Sequence, residues 1–156
     1  HLCEKHSKEL VVYISMGFGN PYGDTYNPEI VSYWVGILSA MGIKHFSIAD
    51  TVGVATPENI SYLFSTLIPA FPQLSIGAHF HTTKDTWLEK IIAAHNNGCT
   101  RFDGAINGIG GCPMAQDELV GNMDMLNLVK YFANDITIDM VQLEKCEHQA
   151  NHIFVV

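Results

Sequence analysis

Leu74-Ser75-Ile76-Gly77-Ala78-His79-Phe80-His81 is an apolar run that ends in two histidines. Its length and content read as a buried strand, and the two-residue period of a strand puts His79 and His81 on one face. Three similar runs lie outward from it: Leu10–Met16 and Lys44–Asp50 before it, and Arg101–Ile106 after it. They begin about 25–35 residues apart, the length of one strand-plus-helix unit.

The gaps read as helices with legible ends. Asn27 is placed to cap a helix with Pro28 at its first position and Glu29 near the positive end of the dipole. Val31, Trp34, Val35 and Leu38 then share a face, and Gly42 follows as a left-handed terminator. Thr56-Pro57-Glu58 repeats the device ahead of Ile60, Leu63, Phe64 and Leu67. A third helix carries Trp87, Leu88, Ile91 and Ala94 and ends near Gly98; a fourth begins between Asn122 and Met125; a last one starts behind Asp139. The opening residues, His1 to Leu10, read as the tail of a helix.

Four alternations of strand and helix predict a parallel α/β sheet. No linker, low-complexity stretch or charge block divides residues 1–156, so a single domain is expected. Polar residues gather where the strands end, at Asp50-Thr51, His79-Phe80-His81 and Asn107 onward, which is where parallel α/β folds bind ligands. Four units do not close a barrel; eight do. The expected architecture is an open sheet or the latter part of a barrel.

Composition excludes several functions. The chain is 47% hydrophobic and 15% charged, enough to bury a core and too apolar for wholesale disorder. Sixteen acidic residues against eight basic ones give a net charge of −8, which disfavours nucleic acid and anionic membranes as partners. No apolar run approaches the roughly 20 residues of a membrane span. Cys3, Cys99, Cys112 and Cys146 form no CxxC pair, which suits a reducing compartment, and an inert buried thiol is the ordinary fate of each.

Several residues could carry chemistry, and each has a plainer reading. Two imidazoles on one face at a strand's end suit a divalent metal, or form a structural pair. Asn107-Gly108-Ile109-Gly110-Gly111-Cys112-Pro113 is a loop that can approach a ligand closely, with a thiol able to exchange a proton, or a glycine turn with a packed Cys112. Its glycines do not match a nucleotide-binding spacing. Asn122 offers a carbonyl oxygen to a hard metal, or caps a helix. Asp50 is a ligand, a base, an orienter or a loop cap.

Four segments together are specific: YISMGFGNPY (Tyr13–Tyr22), SIADTVGVATP (Ser47–Pro57), GAHFH (Gly77–His81) and AINGIGGCPMAQDELVGN (Ala105–Asn122). The chain resembles hydroxymethylglutaryl-CoA lyase, in the larger group of metal-dependent lyases and Claisen-type synthases on a TIM barrel. Isopropylmalate and citramalate synthases share Asp-Thr-x-Gly and HxH, and the Gly-Gly-Cys-Pro loop favours the lyase branch. The resemblance implies that His79, His81 and Asn122 are ligands of Mg²⁺ or Mn²⁺, with Zn²⁺ as a further candidate. It makes Cys112 the catalytic loop thiol, Asp50 an active-site acid, and Thr51, Gly110 and Gly111 substrate contacts. Thr82 stands where the family commonly has Asp or Asn. The implied reaction is retro-Claisen cleavage of 3-hydroxy-3-methylglutaryl-CoA to acetyl-CoA and acetoacetate, in the cytoplasm or the mitochondrial matrix. An acyl-CoA condensing enzyme and a catalytically silent half-barrel are the alternatives.

In the family, the first barrel strand supplies an Arg-Asp pair that this sequence does not show. The expectation is therefore a partial TIM barrel, a (βα)4 piece corresponding to strands 5–8 with a terminal helix. On this reading the chain is only the C-terminal half of a pyruvate-carboxyltransferase-like barrel. It is an incomplete enzyme, inactive alone, that lacks an N-terminal half-barrel or pairs as a homodimer.

Overall fold

A computed structural model describes residues 1–111 and 120–154. A short helix α1 (Leu2–Lys5) leads into strand β1 (Val11–Ile14). There follow α2 (Pro28–Ala40), β2 (His45–Asp50), α3 (Pro57–Ala70), β3 (Ser75–Thr82) and α4 (Trp87–His95). Then come β4 (Phe102–Asp103), a 3-10 turn at Ile106–Gly108, β5 (Gly121–Asn122), α5 (Met125–Tyr131) and α6 (Met140–Ile153).

β1, β2, β3 and β4 run parallel in that order, and β5 pairs antiparallel with the end of β3. The sheet is an open, curled partial TIM barrel. Among the described residues, no helix is long and apolar enough to cross a membrane.

The helix starts follow from capping chemistry. The Asn27 side chain accepts the Ile30 N–H, the Asp139 side chain accepts that of Gln142, and Thr56 and Asn59 satisfy each other's backbone in a capping box. Helices α2, α3 and α4 pack on one face of the sheet. Phe46, Ile48, Ile76, Ala78 and Phe80 from the strands meet Val31, Val35, Ile60, Leu63, Phe64, Leu67 and Ile91 from α2, α3 and α4 in one apolar core. Alternation along β2 and β3 therefore turns Ser47, Ala49, His79 and His81 the other way, into the hollow of the half-barrel.

Two expected helix stripes are narrower than their periodicity suggests. Trp34 and Leu88 are 49% and 41% exposed, so Val31 with Val35, and Ile91 with Ala94, carry the burial. The fourth strand is shorter than expected, because the chain leaves the ladder after Asp103 and turns through a left-handed Asn107 at φ 59°.

The loop after β1 is fastened by Tyr26, whose hydroxyl donates to the Gly17 carbonyl at 2.7 Å. Burial, reinforced by the Glu29 charge, pushes this phenol from 10.0 to about 12. A group raised in the folded state contributes stability that is complete below its unfolded value and is lost as pH rises through the folded one. Tyr26→Phe should therefore cost about 1 kcal/mol at pH 8. The gap to wild type should shrink between pH 10 and 12. Urea unfolding of both proteins across that range checks this; a gap that does not change with pH contradicts it.

Candidate metal centre

β3 is central in the sheet, and its last residues carry the histidine pair. The two rings lie 5.5 Å apart at an interplanar angle of 63°. Among the described residues, each has a buried Nδ1 without a hydrogen-bond partner, an arrangement that favours a further ligand. Burial, followed by the neighbouring His79, holds the His81 imidazole below its usual range and so favours the neutral, ligating form.

Asn122 is not a helix cap. Asp124 caps α5, and Asn122 lies in β5 directly opposite His81. Its Nδ2 donates to the Ile109 carbonyl at 2.9 Å, which fixes the amide and leaves Oδ1 as the atom available to a ligand. Glycines make this close packing feasible. A Cβ on Gly108 would stand 2.7 Å from the Asn122 carbonyl oxygen, and one on Gly110 2.9 Å from Asn122 Nδ2. Both residues have positive φ, at 62° and 92°.

His79, His81 and Asn122 line one cavity of about 450 Å³ together with Tyr13, Ser15, Ala49, Thr51 and Gly111. The sequence-predicted residues His79, His81, Asn122, Thr51 and Gly111 thus converge. Gly110 is set back from the cavity wall, and its carbonyl accepts the Asn122 N–H at 3.1 Å. Thr51 Oγ1 accepts the Met16 N–H at 2.8 Å and ties the β1 and β2 loops together. Cys112 lies outside the described residues; Gly111, its neighbour in sequence, lines the cavity.

Asp50 stands elsewhere. It shares the helix-facing side of β2 with Phe46 and Ile48 and is 1% exposed. Its Oδ2 meets Lys90 Nζ at 2.7 Å and its Oδ1 accepts the Ala55 N–H at 3.0 Å, so both oxygens are engaged away from the cavity. The two-residue period that paired His79 with His81 also separates Asp50 from them.

A polar group beneath His79 was missed by sequence reasoning. Asp103 Oδ2 accepts from the Tyr13 hydroxyl at 2.8 Å and from Ser47 Oγ at 2.6 Å, and lies 3.7 Å from His79 Nδ1. The Tyr13 ring meets His79 edge-on with centroids 5.4 Å apart. The parity of Ser47 and Asp103 in their strands was the available signal. Arg101 passes over Gly77, where a Cβ would lie 2.7 Å from its Cζ, and donates to the Phe46 carbonyl.

The donor set suits a divalent ion: two imidazoles on one face and one fixed carboxamide oxygen. Among the described residues, no three His, Cys, Asp or Glu side chains gather at one point.

The comparisons with known proteins agree on a family. A family model described as HMGL-like matches residues 7–148. The hydroxymethylglutaryl-CoA lyase YngG of Bacillus subtilis is 38% identical over 113 residues, covering 72% of this chain and 38% of the relative. The (R)-citramalyl-CoA lyase of Chloroflexus aurantiacus is 34% identical over 121 residues, covering 78% and 38%. The solved hydroxymethylglutaryl-CoA lyase of Pseudomonas aeruginosa superposes with a TM-score of 0.88 at 26% identity, over 99% of this chain and 52% of that one. Two further matching lyases carry their compartments in their names, cytoplasmic in Mus musculus and mitochondrial in Bos taurus.

These matches correct one expectation. The expectation of a C-terminal half only, an incomplete enzyme lacking an N-terminal half-barrel or pairing as a homodimer, gives way to a family match over nearly the whole chain. The match runs over residues 7–148, and the solved lyases superpose on 97% and 99% of this chain. The chain spans 38% of the length of the two curated relatives and about half of the solved chains. With residues 7–148 of 156 inside the family model, the chain belongs to the HMGL-like family.

Proposed function

We propose that the chain serves a divalent-metal-dependent carbon–carbon lyase that cleaves 3-hydroxy-3-methylglutaryl-CoA to acetyl-CoA and acetoacetate. The observation that carries this reading is the convergence of His79, His81 and Asn122 on one cavity, with a buried Nδ1 on each ring that has no hydrogen-bond partner among the described residues. These three residues would hold the ion. When bound, a divalent ion supplies Lewis acidity, which acidifies the C3 hydroxyl and stabilises the developing ketone oxygen.

The protein's own groups do the rest. Tyr13, Ser47 and Asp103 form the floor under His79 and limit the rotation of its ring. Thr51 and Gly111 line the wall that the acyl group would occupy. The C3 hydroxyl loses its proton, the bond between C2 and C3 breaks toward the thioester, and the acetyl-CoA enolate that forms takes a proton at carbon. Cys112, one residue beyond the cavity wall in sequence, is assigned that proton transfer by its Gly-Gly-Cys-Pro motif. A metal at the site also reconciles a net charge of −8 with an acidic thioester substrate.

The match to a citramalyl-CoA lyase at 34% identity supports a second substrate, a citramalyl thioester, at the same centre. The test is product analysis with both thioesters in the presence of Mg²⁺ or Mn²⁺. Acetoacetate from the glutaryl thioester, abolished by chelator and restored by metal, is the expected result. Cleavage of the citramalyl thioester alone would reassign the substrate, and cleavage that survives metal removal would contradict the reading.

A further inference from the structure

We propose that Lys90 is the positioning residue of this metal centre: a buried ammonium that fixes the His81 backbone relative to the β2 end and its loop, with Asp50 as the acceptor that holds it there. The inference rests on the site reading above and goes beyond it, since Lys90 belongs to no motif the family resemblance supplied. Lys90 lies on the inward stripe of α4 and is 2% exposed, a burial that lysine tolerates only when paired. Its Nζ meets Asp50 Oδ2 at 2.7 Å, the His81 carbonyl at 3.0 Å and the Gly53 carbonyl at 3.2 Å. An ammonium has three hydrogens, and each finds an acceptor here.

The three acceptors sit on the pieces of backbone that frame the cavity. His81 is a candidate ligand, and its strand position opposes Asn122. Gly53 lies two residues past Thr51 in the loop after β2 and holds a left-handed φ of 77°. Asp50 ends β2, and its second oxygen accepts the Ala55 N–H. One cation thus couples the ends of two strands and a loop from the helix side, while the imidazoles face the hollow. Both Asp50 carboxylate oxygens are engaged away from the cavity, so its contribution to the site runs through Lys90 rather than through substrate.

The test compares wild type with Asp50→Asn/Lys90→Met, because Lys90→Met alone would strand a buried carboxylate and Asp50→Asn alone a buried ammonium. The double variant removes both charges and retains an acceptor for Ala55. Mn²⁺ affinity is read by titration calorimetry, and the His81 ring environment by NMR of the metal-free protein. Relative to wild type, the double variant is expected to weaken Mn²⁺ binding about 10–100-fold, as loss of an outer-sphere partner does. It should also shift the His81 ring resonances while cooperative unfolding is retained.

Equal Mn²⁺ affinity with unshifted resonances in a folded double variant would make Lys90 a stability element only and overturn the proposal. If the wild type binds no Mn²⁺, the site reading fails, and the metal-free His81 resonances still decide the role of Lys90. Should the double variant not fold, Lys90→Gln in the same Asp50→Asn background is read identically.

Discussion

Replacing His79 or His81 by Ala is expected to abolish metal-dependent cleavage and to weaken Mn²⁺ binding by more than the ~10–100-fold that an outer-sphere loss costs. The reason is geometric. Each ring faces the cavity, and among the described residues no group hydrogen-bonds its buried Nδ1, so removal costs the fold little and the site a ligand. Unfolding midpoints should stay near wild type, because deleting an unsatisfied buried polar atom relieves a penalty rather than creating one. Calorimetry with Mn²⁺ beside thermal unfolding checks both halves. A variant that loses stability and keeps Mn²⁺ affinity would mark the pair as structural.

Phe80 gives the opposite pattern. It lies between the two histidines in sequence and points the other way, 1% exposed, with its ring 5.7 Å from that of Phe18. Its carbonyl also accepts the Met123 N–H at 3.0 Å, which docks the segment following Asn122. Phe80→Ala should cost about 3–5 kcal/mol through lost burial and an unfilled cavity. For a chain of this length that lowers the melting temperature by on the order of 10 °C and removes a large share of a typical stability of ~5–15 kcal/mol. Phe80→Leu, which keeps most of the volume, should lose less than half as much. Denaturant unfolding of the two variants measures this, and an Ala variant as stable as wild type would refute the assigned packing. Together the His and Phe80 variants separate the two faces of β3: one carries the site and the other carries the fold.

The residues made much of this legible. Strand positions followed from apolar runs, and helix starts from Asn27, Thr56 and Asp139, whose side chains accept the expected backbone donors. The histidine pair followed from a period of two, which is local. What stayed hidden was relational. Asn122 reads equally as a cap or a ligand until β5 is seen to pair with β3, and no local pattern announces a two-residue antiparallel strand. Asp50 could have been assigned to the helix side from its parity with Phe46 and Ile48, yet its partner Lys90 lies 40 residues away. Lys90 drew no sequence reading, and its burial and its partner emerge only from the packing of α4 on the sheet. Tyr13, Ser47 and Asp103 come from three strands, and only the parallel register brings their oxygens together. Cys112 and the Pro113 that follows it lie outside the described residues, so the thiol's role rests on its motif.

The measurement closest to the central claim is electron spin-echo spectroscopy of the Mn²⁺-loaded protein, which detects nitrogens directly bound to the ion. We expect coupling from two imidazole nitrogens, reduced to one in His79→Gln and in His81→Gln and absent in the double variant. Bound Mn²⁺ without imidazole coupling, or coupling that persists when both histidines are replaced, would contradict a metal centre at the end of β3.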